Sequence, residues 1–210
     1  MKNLLLILFS VIIFTSCTKN RKENGKIDVQ LLVYNNPSVD PYDVFLMPIS
    51  TMYFKKNTFI ETVQEYKEGM PLSEPSFALI KNNQFDVFSD LNSIAEVKPN
   101  KDLKTKNVGV KFVTDIVDYN RRVNLTDTVL NGMKYKRARI VSDSVYTVFY
   151  IHQTDTILPF SLSPQFDKDY HGVLNRVDTY EKKHDRFTSL RMVVSDTIPE
   201  RFYNALKQVK

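Results

Sequence analysis

The chain has 210 residues, a formal net charge of +5 at pH 7, 42% hydrophobic and 25% charged residues, and a single cysteine. This balance is typical of one folded domain of moderate size and not of a disordered chain. A lone cysteine excludes an internal disulfide and a cysteine-rich metal site.

The first residues have the layout of an export signal. Lys2 is followed by a mostly apolar run from Leu4 to Phe14 and then by the small residues Thr15 and Ser16. Such a run is short for crossing a hydrocarbon core of about 30 Å. We therefore expect residues 1–16 to be a signal peptide that is removed on export.

Cys17 directly follows this segment. The stretch Phe14-Thr15-Ser16-Cys17 resembles the lipobox of bacterial lipoproteins, in the relaxed form found in Bacteroidota. The resemblance implies that Cys17 receives a diacylglycerol and an amide-linked acyl chain such as palmitate, which would anchor the protein to a membrane. The alternative is a buried, inert cysteine in an N-terminal helix.

Residues 17–26 are predicted to form the lipidated cysteine and a flexible tether, because Thr18 to Lys26 contain no apolar residue. Surface-exposed lipoproteins of Bacteroidota often carry an acidic run here, whereas this chain has Lys19, Arg21 and Lys22. The resemblance thus favours an outer-membrane anchor that faces the periplasm. Residues 27–210 are predicted to be a single domain.

The domain is predicted to be α+β and rich in strands, because β-branched and aromatic residues are abundant. An antiparallel meander or partial barrel with one or two covering helices fits the pattern best. The predicted strands are Ile27–Tyr34, Phe77–Lys81, Gln84–Phe88, Ile94–Lys98, Val108–Val113, Arg121–Leu130, Lys134–Val141, Val145–Gln153, Thr156–Leu162, Val173–Glu181 and Phe187–Val194.

Two segments have a helical pattern. From Thr58 to Tyr66, apolar residues follow a helical stripe, with Thr58 and Glu61 spaced as a capping box. From Thr197 the same spacing recurs before an apolar face that ends near Val209, and it predicts Thr197 as the N-cap.

No catalytic signature is present, which leaves enzymatic activity uncertain and favours a non-enzymatic protein. His152 and His184 have ordinary structural or solvated interpretations. Asp167, Asp169 and His171 would share one side of an extended segment and are the candidate metal ligands, although a polar loop is the plainer interpretation. Nothing in the sequence calls for a cofactor.

The densest basic segment is Lys134–Arg139. In a strand, Tyr135, Arg137 and Arg139 would lie on one side and Lys134 and Lys136 on the other. Nucleic-acid binding requires cations gathered on one face, so a nucleic-acid partner is not expected. The expected contacts are with a membrane, through the lipid anchor, and with an envelope protein, a glycan or a lipid.

A short pattern of Asp, a hydroxyl residue and an aliphatic residue occurs four times. Turn formation explains it locally, because Asp, Ser and Thr side chains bond nearby backbone groups. The pattern also resembles the acceptor site of the general O-glycosylation system of Bacteroidota, which implies the candidate glycan carriers Thr128, Ser144, Thr156 and Thr197. A buried cap cannot carry a glycan, so Thr197 is the least favoured.

The sequence thus predicts a membrane-anchored envelope lipoprotein that serves as a non-enzymatic binding or structural module. One alternative is a periplasmic hydrolase with a dispersed site near His171 and Asp169, and another is a carrier of an apolar ligand. A deep apolar pocket would favour the carrier, and a flat aromatic surface would favour the binding module.

Overall fold

The structure is a computed structural model that describes residues 20–63, 66–67, 70–71, 75–112 and 115–209. The predicted signal peptide and Cys17 lie outside the described residues. Within them, no helix has the length and apolar character needed to span a bilayer.

Fifteen strands and two α-helices are described. The strands are β1 (Asn20–Arg21), β2 (Asn24–Asn35), β3 (Val44–Lys55), β4 (Thr58–Val63), β5 (Tyr66–Lys67), β6 (Met70–Pro71), β7 (Ser76–Lys81), β8 (Gln84–Phe88), β9 (Lys101–Asp102), β10 (Val123–Leu130), β11 (Met133–Val141), β12 (Val145–Gln153), β13 (Thr156–Ile157), β14 (Gly172–Glu181) and β15 (Arg186–Ser195). The helices are α1 (Pro164–Tyr170) and α2 (Glu200–Gln208). Short 3-10 helices cover Leu91–Glu96, Leu103–Thr105, Tyr119–Arg121 and Lys182–His184.

Eleven strands form one antiparallel sheet in the order β10-β11-β12-β14-β15-β2-β3-β4-β7-β8-β9. It consists of two meanders, one from each half of the chain, that are joined where β15 pairs with β2 over ten residue pairs from Arg186↔Asn35 to Ser195↔Lys26. The predicted β-rich α+β class with an antiparallel meander is confirmed, and the sheet is open.

The sheet buries apolar side chains on both faces. The inner face carries the larger core, in which Phe112 contacts Phe59 of one meander and Phe160 beside the other, with ring centroids 5.3 and 5.0 Å away. Helix α1 covers this face near β12, where Phe166 stacks on Phe149 at 4.4 Å. The sheet therefore curls around a core to which both halves of the chain contribute.

Helix α2 covers the outer face at the other end of the sheet. Phe202 stacks on Tyr53 at 3.8 Å and, with Ala205 and Leu206, buries a second, smaller core against β3, β4 and β7. This is the helix predicted at the C-terminus, but it begins two residues later than expected, and its N-cap is Pro199. The prediction of Thr197 as a buried N-cap is therefore wrong, and Thr197 is exposed.

The helix predicted from Thr58 is also wrong, because Thr58–Val63 is strand β4. Both faces of this strand are buried, so its apolar residues do not alternate, and Phe59, Ile60 and Val63 match a helical stripe by coincidence. Helix α1 was not predicted, and neither was strand β3.

Three predicted strands are wrong or too long. Where a strand was predicted for Ile94–Lys98, Leu91–Glu96 is a 3-10 helix. Of the strand predicted for Val108–Val113, residues 108–112 are described and are not in a strand. Of the strand predicted for Thr156–Leu162, only Thr156–Ile157 is a strand. The structured part also begins earlier than expected, since Asn20–Arg21 and Asn24–Lys26 lie in strands β1 and β2.

Residues 106–110 form a loop around a buried ion pair. Glu61 and Lys106 have side-chain exposures of 0% and 1%, and Lys106 Nζ lies 2.6 Å from Glu61 Oε2. Lys106 also donates to the carbonyls of Val108 and Val110, while Ser50 Oγ and the Val110 amide donate to Glu61 Oε1. Burial lowers the pKa of the Lys106 ammonium, and the charge of Glu61 opposes that shift.

The loop requires a glycine at one position. Gly109 has φ +61°, and a Cβ there would lie 2.1 Å from Glu61 Oε1. The Glu61 carboxylate thus contacts the backbone of the loop at Gly109 directly. This contact explains why Val108 and Val110 are not in a strand despite their high strand propensity.

We expect Lys106→Met to lower the free energy of unfolding by about 3–5 kcal/mol, because it leaves the Glu61 carboxylate buried without its counter-charge. Urea denaturation measures the change. The control is Lys104→Met, an exposed position two residues away, which should change stability by less than about 0.5 kcal/mol. The double variant Glu61→Leu/Lys106→Met should recover most of the loss. Equal stabilities of the two single lysine variants would contradict this role of the pair.

Candidate ligand-binding cleft

Strands β14 and β15 pair over only part of their length. They are opposite each other from Arg176↔Arg191 to Glu181↔Arg186. Beyond Arg176, β14 continues along β12 as far as Gly172, whereas β15 continues along β2 as far as Ser195. The two strands therefore separate, and a cleft opens between residues 172–175 and residues 192–195.

The local sequence directs β14 away from β15. Pairing with β12 shifts register between Tyr150 and Ile151, which leaves Asn175 as an extra residue, and such bulges bend a strand. At the end of the strand, a Cβ on Gly172 would lie 2.4 Å from the His152 carbonyl oxygen. This close approach fixes β14 against β12. The Leu174 amide donates to Asp167 Oδ1 at 2.6 Å, which also ties the strand to helix α1.

The first described residues pass beside the cleft. Asn20 and Arg21 pair in parallel with Thr156 and Ile157 of β13, and the Lys22 amide donates to the Ile157 carbonyl. The Lys22 ammonium forms an ion pair with Asp196. The N-terminal segment and β13 thus form one side of the opening.

The cavity has a volume of about 460 Å³, within the range of small-molecule sites. Apolar and aromatic side chains supply much of its wall. They are Leu130, Met133, Tyr135, Leu158, Val173, Met192, Val193 and Val194. Its lining includes no carboxylate, and its charged members are Lys22, Arg176 and Arg191.

Two arginines mark the point where the strands separate. Arg176 and Arg191 are directly opposite each other in the last pair of the β14–β15 ladder. Asp178 neutralises Arg176, with its carboxylate 2.8 Å from both Nε and Nη2, and the Arg176 guanidinium lies 5.1 Å from the centre of the Tyr150 ring. Arg191 Nε donates to Ser189 Oγ at 3.1 Å. Among the described residues, no acceptor bonds the terminal nitrogens of Arg191.

This arrangement is unusual, because like charges directly opposite each other destabilise a sheet. One carboxylate compensates for two guanidinium groups, so a positive charge remains at the end of an apolar cavity. An anionic group placed there would gain a charge-assisted hydrogen bond from Arg191. The sequence did not predict either residue, because fifteen positions separate them and only the strand register brings them together.

The cleft is also lined by the polar side chains of His152 and Asn175. His152 contacts the Lys134 carbonyl through Nδ1 at 3.3 Å, consistent with a structural role. Asn175 Nδ2 donates to Tyr135 Oη at 3.4 Å. Among the described residues, the buried Asn175 Oδ1 has no hydrogen-bond donor.

The structure does not assemble the predicted metal ligands. Asp167 and Asp169 lie in helix α1, not in an extended segment, so their side chains reach different partners. Asp169 accepts from Tyr119 Oη at 2.7 Å and Arg122 Nη2 at 2.8 Å, whereas the exposed His171 terminates the helix with φ +51°. Within the described part of the chain, no group of three or more metal-ligating side chains is placed to hold an ion.

The Arg122 cluster braces helix α1 and borders a second, polar groove of about 590 Å³. The Arg122 guanidinium lies 4.0 Å from the centre of the Tyr119 ring and donates to Asp169 and Tyr170 Oη. Burial, and then the hydrogen bond to Asp169, raise the pKa of the Tyr119 hydroxyl. These contacts connect the Tyr119–Arg121 turn to α1, so Arg122, Asp169 and Tyr170 of the groove already have partners.

The four candidate glycan carriers lie at different depths. Ser144, in the β11–β12 turn, and Thr197, before α2, are exposed. Thr128 lies at an irregularity of strand β10, and Thr156 begins β13 beside the cleft, and both are half-buried. Three copies of the pattern therefore lie at the boundaries of strands or helices. Because Thr197 is exposed and is not the N-cap, it is no longer the least favoured glycan carrier.

No protein-family model matches the sequence, and no curated protein matches it. Among solved structures, the crystal structure of LprF from Mycobacterium bovis aligns with a TM-score of 0.36 and 12% identity over 84% of this chain and 88% of that chain. A DUF1329 family protein from Desulfovibrio piger aligns with a TM-score of 0.23 and 6% identity over 92% of this chain and 91% of that chain. Likenesses this small carry no argument about function.

Asp167 provides a pH test of the contact between α1 and β14. Burial raises the pKa of this carboxyl, against the hydrogen bonds from Ser161 and the Leu174 amide. With a raised pKa the folded state binds more protons than the unfolded state, so stability falls as pH rises through the folded pKa. We expect Asp167→Asn, which keeps an acceptor for Leu174, to gain stability relative to the wild type as pH rises from 4 to 7. Urea denaturation across this range measures it, and a difference that shrinks with pH would contradict it.

Proposed function

We propose that the protein is an exported, lipid-anchored envelope protein whose cleft binds an anionic amphiphile, such as an acyl chain with a phosphate or carboxylate head. The apolar wall would contact the acyl chain of the ligand, and the arginine pair would bind its anionic head group. The role is one of binding or carrying, which combines the binding module predicted first from the sequence with the apolar-ligand carrier given as an alternative.

One observation carries this proposal: Arg176 and Arg191 face each other in the apolar cavity where the two strands separate, and the carboxylate of Asp178 pairs with Arg176 alone. An uncharged apolar ligand would leave the Arg191 charge without a partner. A small polar anion would leave the apolar wall exposed to water. An amphiphile with one negative group satisfies both parts of the cavity.

The position of the N-terminus supports a membrane-derived ligand. Asn20 pairs with β13 at the side of the cleft and follows Cys17 by three residues, which can extend at most about 11 Å. If Cys17 is acylated, the cleft stays close to the lipid surface. The proposed location is the outer membrane, on its periplasmic side.

The hydrolase alternative has less support. His171 and Asp169 were its candidate residues, but Asp169 is bonded to Arg122 and Tyr119, and His171 ends a helix on an exposed surface. No hydrogen bond between described residues joins these two side chains. An activity there would need another base.

We expect lysophosphatidate to bind at least tenfold more tightly than the monoacylglycerol with the same acyl chain, because only the phosphate can accept from Arg191. Isothermal titration measures both affinities. Arg191→Gln should weaken lysophosphatidate binding about tenfold and leave monoacylglycerol binding nearly unchanged. Met133→Glu, at the partly exposed edge of the apolar wall, should weaken binding of both.

The matched control is Arg201→Gln, which removes the same charge from an exposed position on α2 outside the cleft. It should leave both affinities unchanged. Equal affinities for the two ligands, or equal effects of Arg191→Gln and Arg201→Gln, would refute the proposed site.

We also propose that the chain is processed at Cys17 and glycosylated at one or more of Thr128, Ser144, Thr156 and Thr197. Protein from its native host should then have the mass of residues 17–210 plus acyl chains, with further mass in hexose-sized increments for each glycan. Intact-mass spectrometry measures both, and recombinant protein made without a glycosylation system is the reference. A Cys17→Ser variant that keeps the acyl mass would refute the anchor, and native protein without sugar mass would refute the glycan sites.

A further inference from the structure

The outer face of the sheet carries a row of aromatic side chains beyond the cleft. The strand register aligns Tyr146 with Tyr180, Tyr180 with Phe187, and Phe187 with Tyr34, on four neighbouring strands. Neighbouring strands lie about 4.8 Å apart, so the row is about 14 Å long. We call these four residues the aromatic row.

Packing of the core does not explain this row. Its four side chains are partly exposed, and they lie on the opposite face from the inner core residues Phe149 and Val177. Helix α2 covers the same face further along, at β3 and β4. Several aromatic rings that remain partly exposed on one face of a sheet are typical of a binding surface.

Four arginines lie on the same face, on the side of the row that leads toward the cleft. They are Arg137 and Arg139 of β11, Arg176 of β14 and Arg191 of β15, placed there by the alternation of side chains and by the pairs Arg137↔Tyr150, Arg139↔Val148 and Tyr150↔Arg176. Among the described side chains that project from this face of β11, β12, β14 and β15, the only carboxylate is Asp178, which pairs with Arg176. In the turn after β14, Asp185 accepts a hydrogen bond from Tyr180 Oη of the row at 2.9 Å. Four guanidinium groups against these two carboxylates leave a charge of +2.

We propose that this surface binds a linear polysaccharide that carries carboxylate or sulfate groups. The rings of the aromatic row offer apolar surface to the C–H faces of sugars. Guanidinium groups bind carboxylates and sulfates through paired hydrogen bonds. The occupant follows from charge complementarity, since the face combines stacking surface with an excess of positive charge.

A single-stranded nucleic acid would also supply negative charge, but the geometry of the row fits it less well. The Tyr34 and Phe187 rings meet edge to face with centroids 5.4 Å apart, which leaves no space between them for a planar base. Bases bind such proteins by stacking on open aromatic faces. A sugar needs only the exposed upper part of each ring.

The site takes a different ligand from the cleft, and it shares with the cleft only Arg176 and Arg191. Arg137, Arg139 and the aromatic row do not line the cleft. The variants that test one site therefore leave the other in place, and failure of one proposal does not decide the other.

The test uses purified protein and three probes: polygalacturonate, neutral dextran and a thymidine oligonucleotide. Affinity electrophoresis should show retardation by polygalacturonate and none by dextran. The double variant Arg137→Gln/Arg139→Gln should weaken polygalacturonate binding about tenfold or more. Tyr146→Leu/Phe187→Leu, which keeps apolar volume but removes the rings, should weaken it as well and leave lysophosphatidate binding unchanged.

The matched control is Arg201→Gln/Lys207→Gln on helix α2, which removes the same charge away from the row. It should bind polygalacturonate like the wild type. An equal loss of polygalacturonate binding in the control would show that binding depends only on the net positive charge of the protein, and it would overturn the proposal. Equal retardation by dextran, tighter binding of the oligonucleotide, or unchanged binding of the leucine variants would also overturn it. Circular dichroism establishes that each variant is folded.

Discussion

The incomplete pairing of β14 with β15 determines where the cleft lies and which charged side chains border it. A sheet that closed this gap would be a continuous surface with no cavity. Arg176 and Arg191 would then be two like charges opposite each other with no ligand site beside them. Because β15 stays with β2 and β14 stays with β12, the separation begins at these arginines. The gap therefore places positive charge at the end of a cavity with an apolar wall.

The fold tolerates this gap because other contacts hold its two sides. On one side, Asp167 and the Gly172 contact fix β14 to α1 and β12. Across the curled sheet, the Glu61–Lys106 pair holds the loop that carries Phe112, which bridges the two meanders. A buried ion pair is costly unless it is fully bonded, and here four hydrogen bonds to the loop and to Ser50 surround it. These contacts thus hold both sides of the sheet in place while the cleft stays open.

Much of the sheet could be predicted from the sequence, and the reason is periodicity. β10, β11, β12, β14 and β15 alternate or run apolar between strong turn signals, and each was predicted to within two residues. The failures occur where local pattern and tertiary context conflict. Thr58–Val63 is buried on both faces, and residues 108–110 are held by a carboxylate 47 or more positions earlier in the chain.

The candidate sites were harder to predict, because each is made by register and not by a motif. Tyr135, Arg137 and Arg139 were correctly placed on one side of a strand, but the aromatic row beside them comes from four strands that are distant in sequence. Asp167, Asp169 and His171 were grouped because an extended segment was assumed, and a helix separates them. Cys17 and the four glycan acceptors were predicted from sequence resemblance alone. Their modification depends on export of the protein and not on its fold.

A crystal structure of the protein with lysophosphatidate tests ligand binding in the cleft most directly. The phosphate should lie within hydrogen-bonding distance of Arg191, and the acyl chain along Val173, Leu158 and Met192 in the gap between β14 and β15. A ligand found in the polar groove beside Arg122, or a gap closed by new β14–β15 pairing in the complex, would contradict it.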